Sequence, residues 1–142
     1  MTLRDYDDAN IFAKILRGEI PSAKIFENDD ALAIMDVMPQ SPGHCLLIPK
    51  SPSRNLLDAS DESLSRLLPL VRRLAVAAST AFEADGVVVS QFNEEAAGQT
   101  VFHLHFHVIP RFDGVPLERH VGKMADPTVL AEHAARIKEV FA

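Results

Sequence analysis

The segment His103-Leu104-His105-Phe106-His107-Val108-Ile109 decides the expected fold and chemistry of this chain. The chain has six histidines in 142 residues, so three histidines at spacing i, i+2, i+4 would arise by chance roughly 0.01 times per chain. Alternate residues of a strand lie on the same face. The segment therefore predicts a strand from Val101 to Pro110 with three imidazoles on one face. The other face, which would anchor in the core, carries Phe102, Leu104, Phe106 and Val108.

A row of imidazoles suits two chemistries, metal binding and nucleophilic attack on phosphorus. Same-face residues of a strand lie about 6.7 Å apart, so the outer rings of His103 and His107 would lie about 13 Å apart. Because a metal–nitrogen bond is only about 2.0–2.1 Å long, three rings on one ion would need strong bending of the strand. A metal held by His44 with two members of the row stays open. An extended phosphate chain fits a linear row better.

Neutral polar residues directly precede the row of histidines. Asn93, Gly98, Gln99 and Thr100 supply amide groups, a hydroxyl group and a flexible turn. Such donors bind phosphate oxygens and stabilise negative charge that develops in a transition state. These residues therefore form a candidate phosphate-binding loop.

The composition indicates one globular domain and excludes several classes of protein. Lys and Arg total 14 against 20 Asp and Glu, which gives a net charge of −6, and 47% of the residues are hydrophobic. The acidic balance argues against long nucleic acid as a partner. The longest apolar runs have five residues, far fewer than the roughly 20 that a membrane helix needs. No secretory signal is visible at the start, and the single Cys45 cannot form an internal disulfide.

Hydrophobic periodicity and turn residues predict an α+β domain with a mostly antiparallel sheet. Asn10 is expected to cap a short amphipathic helix, and Asp126 with Pro127 is expected to open a helix that runs to Val140. Residues 51–60 read as a surface loop, and a long helix is expected over 61–84. Besides the histidine strand, the predicted strands are 23–27, 31–35, 44–48 and 87–93.

The chain resembles the histidine triad (HIT) hydrolases and nucleotidyl transferases, most closely the Hint-like bacterial branch with some Fhit-like features. Three blocks carry the resemblance: IFAKILRGEIPSAKIFEND, DVMPQSPGHCLLIPK and NEEAAGQTVFHLHFHVIPR. It implies the HIT fold, with a five-stranded sheet, one long helix, a short N-terminal helix and a C-terminal helix. A single domain would span residues 1–142, with a motif-bearing core over about 10–111 and a helical extension over about 112–142.

The resemblance also implies the roles of the histidines. His105 matches the nucleophile, which attacks the α-phosphorus of a nucleotide derivative and forms a nucleotidyl-histidine that water then hydrolyses. One ring nitrogen of His105 should donate to the backbone carbonyl of His103, so that the other nitrogen is unprotonated. His107 matches the residue that contacts the leaving group or the phosphate oxygens, and His44 matches a further member of the proton network. His120 and His133 match nothing and are expected on the surface.

The remaining site residues are carried over from the family in the same way. Asp36 matches the acid that holds the ribose hydroxyls, although a simple turn cap is an alternative reading. Ile11, Phe12 and Ile34 match walls of the base pocket and would equally suit an apolar core. Contacts to phosphate, or support of the site, are expected from Asn93, Gly98, Gln99 and Thr100.

Many bacterial relatives bind a structural zinc through a Cys-x-x-Cys pair near the first helix, together with histidines. Here the corresponding residues are Asn10 and Ala13, and Cys45 alone cannot replace the pair. No structural zinc and no required cofactor are therefore expected.

The sequence favours a cytoplasmic nucleotide hydrolase that acts on a nucleoside phosphoramidate or a dinucleoside polyphosphate. Two alternatives stay open: a non-catalytic nucleotide-binding or partner-binding protein, and a metalloprotein with histidine ligands. The resemblance implies a homodimer with a small nucleotide as substrate and no membrane partner. The leaving group and the preferred base are left undecided.

Overall fold

A computed structural model describes residues 1–119 and 123–141 of the chain. His120, which was expected on the surface, lies outside these residues. The five described strands form one antiparallel sheet in the order β1-β2-β3-β5-β4. The predicted α+β class is confirmed. The strands are β1 (Lys24–Glu27), β2 (Ala31–Met35), β3 (Cys45–Pro49), β4 (Gly86–Ser90) and β5 (Phe106–Arg111).

The three described α-helices begin where the sequence predicts. They are α1 (Ile11–Leu16), α2 (Asp61–Ala81) and α3 (Pro127–Val140). Asn10, Ser60 and Asp126 cap them, each side chain accepting a hydrogen bond from a backbone N–H of the first turn, which satisfies a donor that the helix itself cannot pair. No helix in the described part of the chain has the length and apolar character needed to cross a membrane.

The two faces of the sheet bury different apolar clusters. On one face, α2 and α3 pack against side chains such as Ala33, Leu47 and Val108. On the other face, Phe12 and Ile15 of α1 pack in a smaller cluster of residues from β2 and β3. His107 pairs with Leu46 and therefore lies on this second face. The smaller cluster consists of Phe12, Ile15, Leu32, Ile34, Leu46 and Ile48.

The strand predicted over 101–110 is shorter than expected, because β5 begins only at Phe106. The pairing of β3 with β5 ends at Leu47 opposite Phe106. Beyond that point Leu104 donates its N–H to the carbonyl of Ser53 in a loop, and the Pro49 carbonyl accepts a side-chain hydrogen bond. The prediction that His103, His105 and His107 share one strand face is therefore wrong, since only His107 lies within β5.

Two surface predictions also need correction. Within the predicted surface loop 51–60, Ser53, Arg54 and Asn55 are buried, and residues Leu56–Asp58 form a 3-10 turn. His133, expected on the surface, is half-buried and packs edge-on against Phe82 with ring centroids 4.8 Å apart. In both regions the burial comes from residues distant in sequence. Arg54 and Asn55 bind Glu94 and Gln99, and His133 packs against Phe82.

Gly43 directly precedes His44, in a region where the side chains are closely packed. Gly43 and Gly18 both have a left-handed backbone, with φ of +87° and +80°. A Cβ at Gly43 would lie 2.8 Å from the Phe82 ring and 3.1 Å from Pro110, whereas a Cβ at Gly18 would meet no atom within 4 Å. We expect G18A to lower the free energy of unfolding by about 1–2 kcal/mol and G43A to cost a further ~1–3 kcal/mol. Urea denaturation measures both, and equal losses would contradict the close packing.

Candidate active site

His105 is oriented by a backbone hydrogen bond directly before β5. Its Nδ1 lies 2.6 Å from the carbonyl oxygen of His103. Because a carbonyl only accepts, Nδ1 carries the hydrogen, and in the neutral ring Nε2 has the lone pair. The ring packs edge-on against Phe12 with centroids 4.7 Å apart and keeps 8% of the residue's surface exposed.

The ring of His103 has partners outside the row, Tyr6 and Pro49. Its ring is 1% exposed, and its Nε2 donates to the carbonyl of Pro49 at 2.8 Å. Burial lowers the pKa of His103 below its usual value, because a charged ring is poorly solvated there. Side-chain catalysis by His103 therefore stays a prediction without a contact to support it, whereas its backbone carbonyl contacts the ring of His105.

His107, His44 and Asp36 meet in a buried cluster because β3 pairs with β5. The His44 Nε2 lies 3.0 Å from Nδ1 of His107 and 3.4 Å from Oδ2 of Asp36. The His107 Nδ1 lies 3.9 Å from the same carboxylate oxygen, and the ring centroids of His105 and His107 are 5.1 Å apart. The structure thus brings His105, His107, His44 and Asp36 into one site.

Hydrogen bonds assign the proton positions in this cluster. The backbone N–H of Gln40 donates to Nδ1 of His44 at 3.0 Å, so this nitrogen carries no hydrogen. The neutral His44 ring therefore has its hydrogen on Nε2 and donates it to Nδ1 of His107. His107 in turn has its own hydrogen on Nε2. The chain of donors runs from the backbone through His44 to His107.

The cluster of Asp36, His44 and His107 has the spacing of a metal site, with ligand atoms within 4.8 Å of one another. Its hydrogen bonding does not suit a metal. A histidine ligand binds through an unprotonated nitrogen and donates its other N–H to a partner, whereas Nδ1 of His44 accepts from Gln40. The resemblance places a Cys-x-x-Cys zinc pair at positions 10 and 13. There the side chain of Asn10 caps α1, and Ala13 carries no metal-binding atom.

Of the three apolar residues expected to line the base pocket, two are buried and one is exposed. Phe12 and Ile34 belong to the buried cluster on the active-site face of the sheet, and Phe12 contacts His105. Ile11, at the first position of α1, is 46% exposed. Asp36 is 5% exposed and accepts from the Met38 N–H, so it caps a turn and also faces the histidines. Contacts of these residues with a base or ribose stay predictions.

Gln99 braces the loop that leads into the histidines. Its Nε2 donates to the carbonyls of Arg54 and Val101. Its Oε1 accepts from the side chain of Asn55 and the N–H of Glu94. The amide group thus has two donor and two acceptor contacts within the protein. A contact with phosphate stays a prediction and would require Gln99 to exchange one of these partners.

Sequence reasoning missed the ion pair that closes this loop. Arg54 donates from Nε and Nη2 to the two carboxylate oxygens of Glu94 at 2.8 and 3.0 Å, and it stacks 4.1 Å from the centroid of the Phe102 ring. Asn55 also donates to Glu94. Hydrogen bonding from Arg54 lowers the pKa of Glu94 below its usual value. Glu94 has φ of +74°, a strained region for a residue with a side chain. No local sequence pattern predicts this ion pair, because its two partners are 40 residues apart.

The other residues of the predicted phosphate loop lie near its surface. Asn93 accepts from the Leu56 N–H and pairs with the amide group of Gln91. Gly98 and Thr100 are exposed, and Gly98 has a left-handed backbone. Phe92, which the sequence did not single out, is 40% exposed and lies edge-on to His107 with centroids 5.7 Å apart. Exposed aromatic and amide groups thus border the buried histidines.

Comparison with known proteins decides the family. The HIT domain model matches residues 17–114. The chain belongs to the HIT family. Among solved structures, a Hit-like protein from Bartonella henselae, described as involved in cell-cycle regulation, is 50% identical with a TM-score of 0.90. The match covers 96% of this chain and 99% of that one, so the expected HIT fold is confirmed.

Two curated HIT relatives extend the comparison. Protein hit of Bacillus subtilis is 41% identical over 102 residues, which are 72% of this chain and 70% of that protein. Adenosine 5'-monophosphoramidase HNT1 of Saccharomyces cerevisiae is 42% identical over 107 residues, 75% of this chain and 65% of that protein. The recognition of a HIT protein from the three sequence blocks is confirmed.

The hydrogen bonds of Gln99 predict that this HIT loop depends on it for stability. Gln99→Met keeps a similar volume but removes all four contacts, and it removes the hydrogen-bond partner of groups such as the Glu94 N–H. We expect the free energy of unfolding to fall by about 3 kcal/mol, since each buried group left unpaired costs about 1–3 kcal/mol. The control is Thr100→Ala at the exposed neighbour, which should stay within about 0.5 kcal/mol. Equal stability of the two variants in urea denaturation would contradict the bracing role.

Proposed function

We propose that this HIT protein hydrolyses a nucleotide derivative at its α-phosphorus, with His105 as the nucleophile. The observation that carries the proposal is the hydrogen bond from Nδ1 of His105 to the His103 carbonyl. It holds the ring in the tautomer whose Nε2 lone pair can attack phosphorus. Fixing the ring in advance lowers the entropy cost of reaching the reactive geometry.

The Nε2–H of His107, oriented through His44, is proposed to hold the leaving group by a hydrogen bond. In the first step Nε2 of His105 bonds to the α-phosphorus, the bond from phosphorus to the leaving group breaks, and the departing nitrogen or oxygen takes a proton from a water molecule. The Nε2–H of His107 donates a hydrogen bond to that departing atom and keeps its hydrogen. In the second step the hydroxide left by that water attacks phosphorus and the bond to His105 breaks. The products are a nucleoside monophosphate and the protonated leaving group, and both rings return to their starting states.

The apolar wall beside His105 is proposed to hold the nucleoside. Phe12 contacts the ring of His105, so a base packed along this wall would place its α-phosphate near Nε2. We assign the ribose hydroxyls to the carboxylate of Asp36, and we assign Ile11 and Ile34 to the base side. Phosphate oxygens are proposed to contact Asn93, Gly98, Gln99 and Thr100.

A nucleoside phosphoramidate is the substrate class that the comparisons favour. Two yeast relatives, each more than 40% identical over the matched residues, are named adenosine 5'-monophosphoramidases. A dinucleoside polyphosphate would be cleaved by the same two steps with a phosphate chain as leaving group. Hydrolysis rates for adenosine phosphoramidate and diadenosine polyphosphates, measured side by side, separate these two substrates.

Replacing the proposed nucleophile should separate binding from turnover. We expect His105→Ala to lower the hydrolysis of adenosine phosphoramidate by at least about 10³-fold, because the variant lacks the nitrogen proposed to form the covalent bond. Binding of AMP, measured by calorimetry, should stay within about tenfold. His133→Ala is the matched control, because His133 packs against Phe82 away from the site, and this variant should retain the wild-type rate.

Turnover by His105→Ala at the wild-type rate would contradict the proposal. A wild-type protein that binds AMP but hydrolyses none of the substrates would instead support the non-catalytic alternative. Both results come from the same pair of assays.

We further propose that the protein is a cytoplasmic homodimer that joins through β4. This strand lies at the edge of the sheet, and its three valines, Val87, Val88 and Val89, are 39%, 37% and 47% exposed. An exposed apolar edge strand tends to pair with another strand. A second copy of the chain would cover it. The acidic net charge supports the absence of long nucleic acid among the partners.

A charge on the edge strand should disrupt the proposed dimer. We expect the wild-type protein to sediment as a dimer and Val89→Lys as a monomer, because a lysine on an edge strand opposes pairing with another sheet. Val129→Lys on α3 replaces a valine of similar exposure, 41%, and should remain dimeric. A monomeric wild-type protein, or a dimeric Val89→Lys, would contradict this arrangement.

A further inference from the structure

The hydroxyl group of Tyr6 contacts the ring of His103 from outside the histidine row. The Tyr6 oxygen lies 2.6 Å from Nδ1 of His103. The side-chain Nδ2 of Asn10 donates to the same oxygen at 3.1 Å. Neither Tyr6 nor this contact follows from the sequence motifs, because 97 residues separate the two partners.

The direction of each hydrogen bond follows from its partners. The Pro49 carbonyl can only accept, so Nε2 of His103 carries the ring hydrogen. Burial lowers the pKa of His103, which keeps the ring neutral and leaves a lone pair on Nδ1. Tyr6 therefore donates its O–H to Nδ1 and accepts from Asn10. Both nitrogens of a ring that is 1% exposed are thereby paired, as buried polar groups require.

The contact reaches the proposed nucleophile through one residue. The ring of His103 is held at both ends, by Tyr6 and by Pro49, and its backbone carbonyl accepts the Nδ1–H of His105 at 2.6 Å. The backbone here lies outside β5, so the direction of that carbonyl is fixed without strand pairing. The same planar peptide carries the N–H of Leu104, which donates to the Ser53 carbonyl at 2.8 Å. The side chain of His103, held at both ring nitrogens, is a second restraint on it.

We propose that Tyr6 is a positioning residue for His105, acting through the ring and the backbone carbonyl of His103. The proposal rests on the proposed function, in which His105 is the nucleophile. Tyr6 has no contact with the substrate in this arrangement. It adds a restraint to the peptide that orients the attacking ring.

The N-terminal segment is built to hold Tyr6 in place. Asn10 donates from Nδ2 to Tyr6 and to the carbonyl of Asp7, and its Oδ1 accepts from the N–H of Ala13. One side chain thus caps α1 and fixes the tyrosine. This hydrogen-bond network connects α1 to the ring of His103.

Tyr6 can be observed directly, because it is the single tyrosine of a chain without tryptophan. Burial raises its pKa above the usual value, with Asp7 and Asp8 acting in the same direction and Asn10 and Arg17 opposing. Ultraviolet titration of the phenol should therefore give a midpoint above about 10. This signal reports the environment of Tyr6 alone.

The deciding experiment compares Tyr6→Phe with the wild-type protein in steady-state hydrolysis of adenosine phosphoramidate. We expect kcat to fall about tenfold, because the variant leaves a buried ring nitrogen of His103 unpaired. KM should stay within about twofold, since Tyr6 does not contact the substrate. Ser65→Ala removes an exposed hydroxyl from α2 and should keep both values. An unchanged kcat in Tyr6→Phe would overturn the proposal.

A second measurement detects the hydrogen bond between Tyr6 and His103 without an activity assay. In the wild-type protein labelled with ¹⁵N-histidine, NMR should show His103 protonated on Nε2 and accepting on Nδ1, and Tyr6→Phe should shift the Nδ1 signal. Asn10→Ser, which retains a capping oxygen but loses the donor to Tyr6, should give a smaller change in kcat of the same sign. If the Nδ1 signal shifts while kcat stays constant, Tyr6 has only a structural role and the proposal fails.

The two failures are distinguishable. A wild-type protein that hydrolyses no nucleotide yet shows the Nδ1 shift would disprove the proposed function, and with it the positioning role, while the Tyr6 contact would stand. If the wild-type protein is active and Tyr6→Phe has the same kcat, only the positioning role is disproved.

Discussion

The hydrogen bond between Nδ1 of His105 and the carbonyl of His103 is the interaction on which the proposed chemistry depends. A histidine can attack phosphorus only through an unprotonated nitrogen, and this bond determines which nitrogen that is. The bond in turn requires a backbone carbonyl that points away from any strand. The early end of the β3–β5 pairing, at Leu47 opposite Phe106, provides that irregular stretch. A longer regular strand would have directed the carbonyl into the ladder.

The second requirement is a hydrogen-bond donor for the leaving group beside the nucleophile. Pairing of Leu46 with His107 sets β3 against β5 and so brings His44, directly before β3, within 3.0 Å of His107. The Gln40 N–H then determines the tautomers of both rings. The same hydrogen bond that leaves the Nε2–H of His107 available to the leaving group makes His44 a poor metal ligand. One backbone contact therefore favours hydrogen bonding to the leaving group over metal binding.

Much of the fold could be predicted because its signals are local. The caps Asn10 and Asp126, the run Ala31–Met35 and the periodicity of α2 each lie within a short window, and the structure confirms them. The shape of the histidine segment could not be predicted from alternation alone. Its conformation depends on Pro49 and Ser53, which lie some 50 residues away and accept hydrogen bonds from His103 and Leu104.

The candidate site also has a part that the sequence predicts and a part that depends on distant contacts. The motif identified His105, His107, His44 and Asp36, which the structure brings together. It gave no indication of the groups that hold them, because the partners of Arg54, Asn55 and Tyr6 are about 40 to 97 residues distant. Gln99 illustrates the difference: the motif predicts a phosphate contact, and the structure shows a brace with four partners inside the protein.

Trapping the covalent intermediate would show whether His105 itself bonds to phosphorus. Rapid mixing of the wild-type protein with adenosine phosphoramidate, followed by an alkaline quench that preserves phosphorus–nitrogen bonds, allows peptide mapping by mass spectrometry. We expect an adenylyl group on Nε2 of His105, formed and lost at rates that match turnover. An adenylyl group on another residue, or full turnover with no protein-bound nucleotide at any time, would contradict it.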